Sequence, residues 1–403
     1  MNNKWIRSAI PALLIHISVG TVYCWTTVKQ AIAEQIEMSN FAVGWAFSLA
    51  IFFLGMSAAF AGKLVEKNIH ISSLLACICF FVGMSGTGIV IKYTTGWTAL
   101  IGIYLFYGII MGIGLGVGYL TPVKTLMLWF KDNKGLATGI SIMGFGLAKA
   151  IATPVMTYLQ DKYGISTMFL ILAVVYLVLM YIGHILLKKP EKWIEPSINV
   201  ENKNSIKPII KSPMFIGIWL MFYLNIHCGL MIISYEKQIL TTAFAVVSLA
   251  TIIPSVTAIS NALGRIGYAT ISDKLKQRNT IYKIIFISCA CVSLLTLLTN
   301  SVNHAVGILG VLVIAYLLII NAGYGGGFST LPALLSERFG MDNISQIHGL
   351  TLSAWAIAGI TGNNMSEIIL RQTGNYQYII ALATILYIVS FIICLCMVKN
   401  KKK

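Results

Sequence analysis

The chain has 403 residues, 57% of them hydrophobic and only 10% charged, with a mean hydropathy of +0.82. Soluble globular proteins carry about 25% charged residues, so this composition excludes that class. It points instead to a polytopic membrane protein surrounded by lipid. A net charge of +16 would suit a nucleic-acid partner, but the basic residues follow a membrane topology, and no nucleic acid is expected.

Only helix bundles or closed barrels span a bilayer, because every backbone polar group must be satisfied internally. Barrel strands would alternate over runs of about ten residues. The apolar runs here are of helix length. Twelve spans are predicted, at about 6–30, 41–62, 70–91, 98–128, 136–159, 166–187, 212–235, 243–270, 280–299, 305–335, 346–370 and 377–398. Lys4 and Arg7 before the first run resemble the start of a signal peptide. The run continues to about residue 30 without a small-residue cleavage site, so it reads as a retained first helix. Most of the 29 Lys and Arg fall on one side of these spans. The positive-inside bias then puts both termini in the cytoplasm of a cell-membrane protein, with Lys188-Lys189 and the tail from Lys399 as topology anchors.

Connections are short except at 188–211, a Lys-rich segment holding Pro190, Pro196 and Pro208. It divides the chain into a bundle of six spans at 1–187, a cytoplasmic linker at 188–211 and a second bundle of six at 212–403. Two such halves are the layout of a repeat-built secondary transporter. The eight cysteines include Cys77 and Cys79, and Cys289 and Cys291. These spacings do not suit zinc, and the thiols read as small apolar residues.

Polar and aromatic residues interrupt several spans. Span 1 carries Gly20, Tyr23 and Trp25. Span 4 is glycine-rich through Gly118 and then holds Tyr119, Pro122 and Lys124, while span 5 has Gly144, Phe145, Gly146 and Lys149. Lys124 and Lys149 are expected to snorkel to the interfaces, with Lys149 as a second substrate cation the alternative. His16, His227 and His348 read as hydrogen-bonded packing residues, and Glu367 as a solvated acid at the end of span 11. The run Asn321-Ala-Gly-Tyr324-Gly-Gly-Gly327 predicts a flexible helix segment that brings Tyr324 beside a cavity.

Arg265 in span 8 is the costliest feature. It lies eight residues before Asp273, roughly 12 Å of helix, near the middle of the hydrocarbon core. A guanidinium keeps its proton there, no intramembrane carboxylate is evident to pair with it, and an anionic substrate is the leading candidate. Asn261 sits one helical turn earlier on the same face.

After span 2 comes Gly62-Lys-Leu-Val-Glu66-Lys67, and at the equivalent place after span 8 comes Ala269-Thr-Ile-Ser-Asp273-Lys274. Each sets a small residue four positions before an acid that a cation follows. A small residue permits close helix contact, and the acid can meet a helix N-terminus or a cation across a gate. The repeat resembles the loop motif of the major facilitator superfamily. The connector Trp129–Gly139, Gly144-Phe145-Gly146, Asn261-x-x-Gly264-Arg265, the Gly-x-x-Tyr-x-Trp pattern from Gly20 to Trp25, and Ser353–Gly359 with Trp355 together resemble the oxalate/formate antiporter family within it, beside the monocarboxylate transporters.

That resemblance implies an all-α membrane protein of the major facilitator fold, twelve transmembrane helices in two six-helix halves, acting as a monomer without cofactor. It implies alternating-access transport of small carboxylates, with Arg265 gripping the carboxylate and Tyr23, Tyr119 and Tyr324 lining the cavity. Phe145 stands where oxalate-exchanging members have a tyrosine, and Trp355 where they have a lysine. Losing that second cation favours a monocarboxylate over a dianion. Asn261 replaces the aspartate of proton-coupled monocarboxylate transporters and cannot titrate, which favours antiport. The alternatives are a proton-coupled symporter or an anion sensor. The spans hold no nucleophile–base pair, paired carboxylates or metal cluster, so an enzyme is not expected.

Overall fold

The computed structural model describes residues 3–191, 206–244, 247–303 and 305–398. Much of the linker expected at 188–211, and the basic tail from Lys399, therefore lie outside the described residues. Twelve long helices follow the predicted spans closely. They are α1 (Trp5–Gln35), α2 (Asn40–Lys67), α3 (Ile69–Tyr93), α4 (Gly96–Trp129), α5 (Lys134–Tyr163), α6 (Ile165–Leu186), α7 (Pro213–Ile233), α8 (Val247–Lys274), α9 (Asn279–Leu298), α10 (Ile308–Phe339), α11 (Ile344–Thr373) and α12 (Gln377–Cys396). A short helix, Glu236–Phe244, joins α7 to α8.

Local chemistry sets the helix ends. The Ser39 hydroxyl accepts from Ala42 N at the start of α2, and Asn68 Oδ1 accepts from the His70 and Ile71 amides at the start of α3. Such caps satisfy donors that have no partner within the helix. Gly164 ends α5 at φ +80°, a conformation that side chains beyond Cβ disfavour. Helix α1 is not uniform: it tightens to a 3₁₀ turn over Gly20–Cys24. A Cβ at Gly20 would collide with the Phe145 carbonyl on α5, so the glycine lets the two helices touch.

Ten of the helices are, among the described residues, long and apolar enough to cross a membrane. Their outer faces expose large apolar side chains such as Phe60, Ile101, Ile182, Leu298 and Val311. The buried side chains include many polar ones, Arg265, Asn225, His16 and His348 among them. Apolar groups facing outward and polar groups inward are what a lipid solvent selects.

Helices α1–α6 pack on one another, chiefly α3 on α4, α2 on α4, α1 on α5 and α3 on α6. In the second set the main pairs are α8 with α10, α7 with α11 and α9 with α12. The two sets meet mainly through α2 against α11 and α5 against α8. Helix α10 runs unbroken through Asn321–Gly327, which is helical as the sequence predicts. Its glycines serve close packing, since a Cβ at Gly325 would meet the Asn261 carbonyl on α8.

Both termini, and the loops after α2, α4, α8 and α10, lie at one end of the bundle. Lys188 N donates to the Arg7 carbonyl there, and Asn279 Nδ2 to the Val398 carbonyl. This end is called the termini face below.

Candidate functional site

Arg265 lies nine residues inside the end of α8, about 13 Å from the termini face. It is 1% exposed. Its Nε donates to Asn261 Oδ1 at 2.7 Å and its Nη1 to the Ile142 carbonyl of α5 at 3.2 Å. The guanidinium sits over two rings, 5.6 Å from the Phe145 centroid and 5.3 Å from that of Phe328. Among the described residues no carboxylate pairs with it. Aromatic faces and carbonyl oxygens solvate a cation partly; they leave its net charge in place.

The aromatic residues of the prediction divide into two groups. Tyr23 and Tyr324 join the halves through their hydroxyls, 2.6 Å apart. Both line a cavity with Gly146, Lys149, Glu236, Thr257, Asn261 and Asn321. Tyr119, Phe145 and Trp355 are fully buried and do not line it. They form an aromatic layer at the level of Arg265. The Trp355 ring lies 4.4 Å from that of Phe328, 5.6 Å from Tyr119 and 5.7 Å from Phe145. The Tyr119 hydroxyl and the Trp355 indole nitrogen have no hydrogen-bond partner. Unpartnered buried donors are uncommon, and these two face the layer that would have to part if an anion passed.

Lys149 is half-buried and lines the cavity, about 22 Å along α5 from the termini face. A second cavity adjoins the first through Thr26, Phe47 and Ser234. It extends to Lys29, Asn40, Phe41 and Glu367 at the far ends of α1, α2 and α11. Space therefore continues from Asn261 away from the termini face.

Towards the termini face the halves are locked by two matching devices. Asp273 accepts from Gly135 N at 2.9 Å and Leu136 N at 2.8 Å, the first turn of α5. Glu66 accepts from Ser345 N at 2.8 Å, the first turn of α11. Neither helix has a side-chain cap of its own, from Asn133 or from Asn343. Each N-terminus instead takes a carboxylate from the opposite half, where the helix dipole favours it. A Cβ at Gly135 would strike the Ala269 carbonyl, and one at Gly62 would strike Gln346, so the small residues permit the approach.

Lys67 and Lys274, the cations that follow the two acids in the motif, are exposed. Lys124 pairs with Glu66 instead, and Arg278 with Asp273 at 2.6 Å. Lys124 is thus buried and ion-paired, not snorkelling. The physical reason is direct: a lysine 5% exposed beside a carboxylate avoids the cost of an unpaired buried charge.

Residues 12–363 match the Major Facilitator Superfamily. The chain belongs to that superfamily. This major facilitator is 25% identical over 368 residues to the uncharacterized MFS-type transporter YhjX of Escherichia coli (strain K12), covering 89% of this chain and 86% of the relative. It is 23% identical to the oxalate:formate antiporter of Oxalobacter formigenes over 388 residues, 95% of this chain and 89% of that one. Its fold matches that of the proton:xylose symporter XylE bound to 6-bromo-6-deoxy-D-glucose with a TM-score of 0.73, at 14% identity, covering 98% of this chain and 95% of that one. It is a multi-pass membrane transporter and not an enzyme.

The histidines of this facilitator are structural in their contacts. His16 Nδ1 lies 2.6 Å from the Ser141 carbonyl, and His227 Nδ1 lies 2.9 Å from the Thr361 hydroxyl. His348 packs on the Tyr119 ring, and its Nε2 has no partner. Glu367 is not simply solvated: it accepts from Tyr235 and from Arg371.

One site residue was missed by sequence reasoning. Glu236, the first residue of the short helix after α7, is 3% exposed and lines the cavity. Its Oε1 has no hydrogen-bond partner. Burial raises its carboxyl to about 7, against the lowering effects of the Lys149 charge and the Thr257 hydroxyl. An acid just past an apolar span reads as a solvated loop residue, and only the fold turns it inward.

Proposed function

We propose that this transporter moves small organic anions, carboxylates above all, by alternating access and in exchange mode. The observation that carries the reading is Arg265, a buried guanidinium with no carboxylate partner, one turn from the Asn261 that lines the cavity. A guanidinium presents parallel N–H donors that match a carboxylate in shape and charge. An anion arriving along the cavity would take over the donors now spent on Asn261 and a backbone carbonyl. Tyr23 and Tyr324 would then act as hydroxyl donors on the side away from the aromatic layer.

Exchange follows from the charge balance. The empty carrier must occlude an uncompensated cation, which low-dielectric surroundings penalise. The loaded carrier occludes a neutral pair and changes its opening more readily. A monocarboxylate suits the site when Glu236 is ionised and offsets Lys149, leaving Arg265 as the uncompensated charge. The similarity to an oxalate:formate antiporter supports the substrate class. With the positive-inside orientation, the locked termini face is cytoplasmic and the cavities lie on the outer side of a cell membrane.

Counterflow tests this. Vesicles reconstituted with the protein and loaded with unlabelled formate, pyruvate or oxalate should take up the labelled anion at least about tenfold faster than empty vesicles. Uptake that ignores internal carboxylate and follows only an imposed pH gradient would replace exchange with proton symport.

A further inference from the structure

The cavity holds two charged side chains that the proposed anion grip does not use, Lys149 of α5 and Glu236 of the short helix. Glu236 is almost fully enclosed, and its Oε1 lacks any hydrogen-bond partner. The Thr257 hydroxyl of α8 reaches the carboxyl, and Lys149 acts on it through its charge and not by a hydrogen bond. The other groups around the cavity are Tyr23 and Thr26 of α1, Phe47 of α2, Leu230, Ile233 and Ser234 of α7, and Asn321 and Tyr324 of α10. Only the two tyrosine hydroxyls among these can titrate. Arg265 lies just beyond Asn261, and Lys29 and Glu367 line the adjoining cavity. Lys237, next to Glu236, is exposed.

Charge counting gives this arrangement two states. With Glu236 ionised, Lys149 is cancelled, the site carries one positive charge from Arg265, and a monoanion neutralises it. With Glu236 protonated, the Lys149 charge is released, the site carries two positive charges at separate levels of one cavity, and a dianion neutralises it. Building on the carboxylate reading above, we infer that Glu236 is a proton switch that sets whether the cavity takes a monoanion or a dianion, with Lys149 as the second carboxylate subsite. Binding a dianion therefore takes up a proton, and binding a monoanion does not. Exchange of a dianion with its proton for a monoanion moves no net charge. By linkage, the proton must then favour the dianion as much as the dianion favours the proton.

The test is calorimetric titration of the purified full-length transporter with formate and with oxalate, in buffers of different ionisation enthalpy, between pH 6 and 8. Oxalate should bind with uptake of up to one proton, and its affinity should fall by up to about tenfold per pH unit above neutrality. Formate should bind without proton uptake. Glu236→Gln should bind oxalate with no proton uptake and no pH dependence. Lys149→Met should lose oxalate affinity at least about tenfold while keeping formate. Oxalate binding without proton uptake by the wild-type protein, equal uptake with formate, or persistent uptake in Glu236→Gln overturns the switch. A protein that binds formate but never oxalate also overturns it and leaves the carboxylate reading standing. Binding of neither anion overturns the switch, and if pyruvate also fails to bind, the carboxylate reading falls with it.

Discussion

At the scale of single residues, the site is a set of close approaches around one guanidinium. Gly146 lies against the guanidinium itself. A Cβ there would lie 2.9 Å from Arg265 Nε and 3.1 Å from Asn261 Oδ1. The Arg265 side chain is pinned at that point by its bond to Asn261, so it cannot yield without loss. Gly146→Ala should displace the guanidinium and cost about 1 kcal/mol of hydrogen bonding, a roughly fivefold weaker carboxylate affinity. Ligand-dependent thermal stabilisation measures this directly, because a ligand that binds only the native state raises the melting temperature. Unchanged affinity would mean that Arg265 does not hold the anion in the conformation seen here.

At the scale of elements, the carboxylates that cap the opposite half make closure of the termini face a matter of helix ends. Asp273 serves two amides of α5 and the Arg278 guanidinium together. Asp273→Asn keeps one acceptor and removes the charge, and should weaken the lock by roughly 1–3 kcal/mol. In a background lacking the natural cysteines, a cysteine replacing Thr138, one turn inside this contact, should be labelled several-fold faster in the Asp273→Asn protein. The label is an impermeant maleimide applied at the termini face. Equal labelling would show that the lock lies elsewhere.

This scale also shows what a linear sequence can carry. The helix boundaries were legible because lipid imposes a length and a composition on each span. The repeated small-residue and acid pattern was legible because the same packing problem is solved twice. The partner of Glu66 was not. Lys124 lies 58 positions away on α4 and takes its role from how α2 and α4 cross. The inward turn of Glu236 was hidden for the same reason, and so was the split of the aromatics into cavity wall and closed layer. Those are properties of helices meeting, and no single span encodes them.

At the scale of the whole molecule, a locked termini face, a buried cation inside it and open space beyond it would make one side of the alternating-access cycle proposed above. The aromatic layer of Tyr119, Phe145, Phe328 and Trp355 stands level with Arg265, and the lock lies between it and the termini face. Passage requires both to part while the far side closes, through the same α2–α11 and α5–α8 contacts that now hold the halves together. Charge governs when that happens, since only a neutral site is cheap to occlude. The measurement that bears most directly on this account is carboxylate uptake into reconstituted vesicles by the wild-type protein and by Arg265→Lys, at equal reconstituted amounts. Lysine keeps the charge and loses the paired donors, and uptake should fall about 10- to 100-fold, the worth of a charge-assisted hydrogen bond. Undiminished uptake by Arg265→Lys would contradict the account.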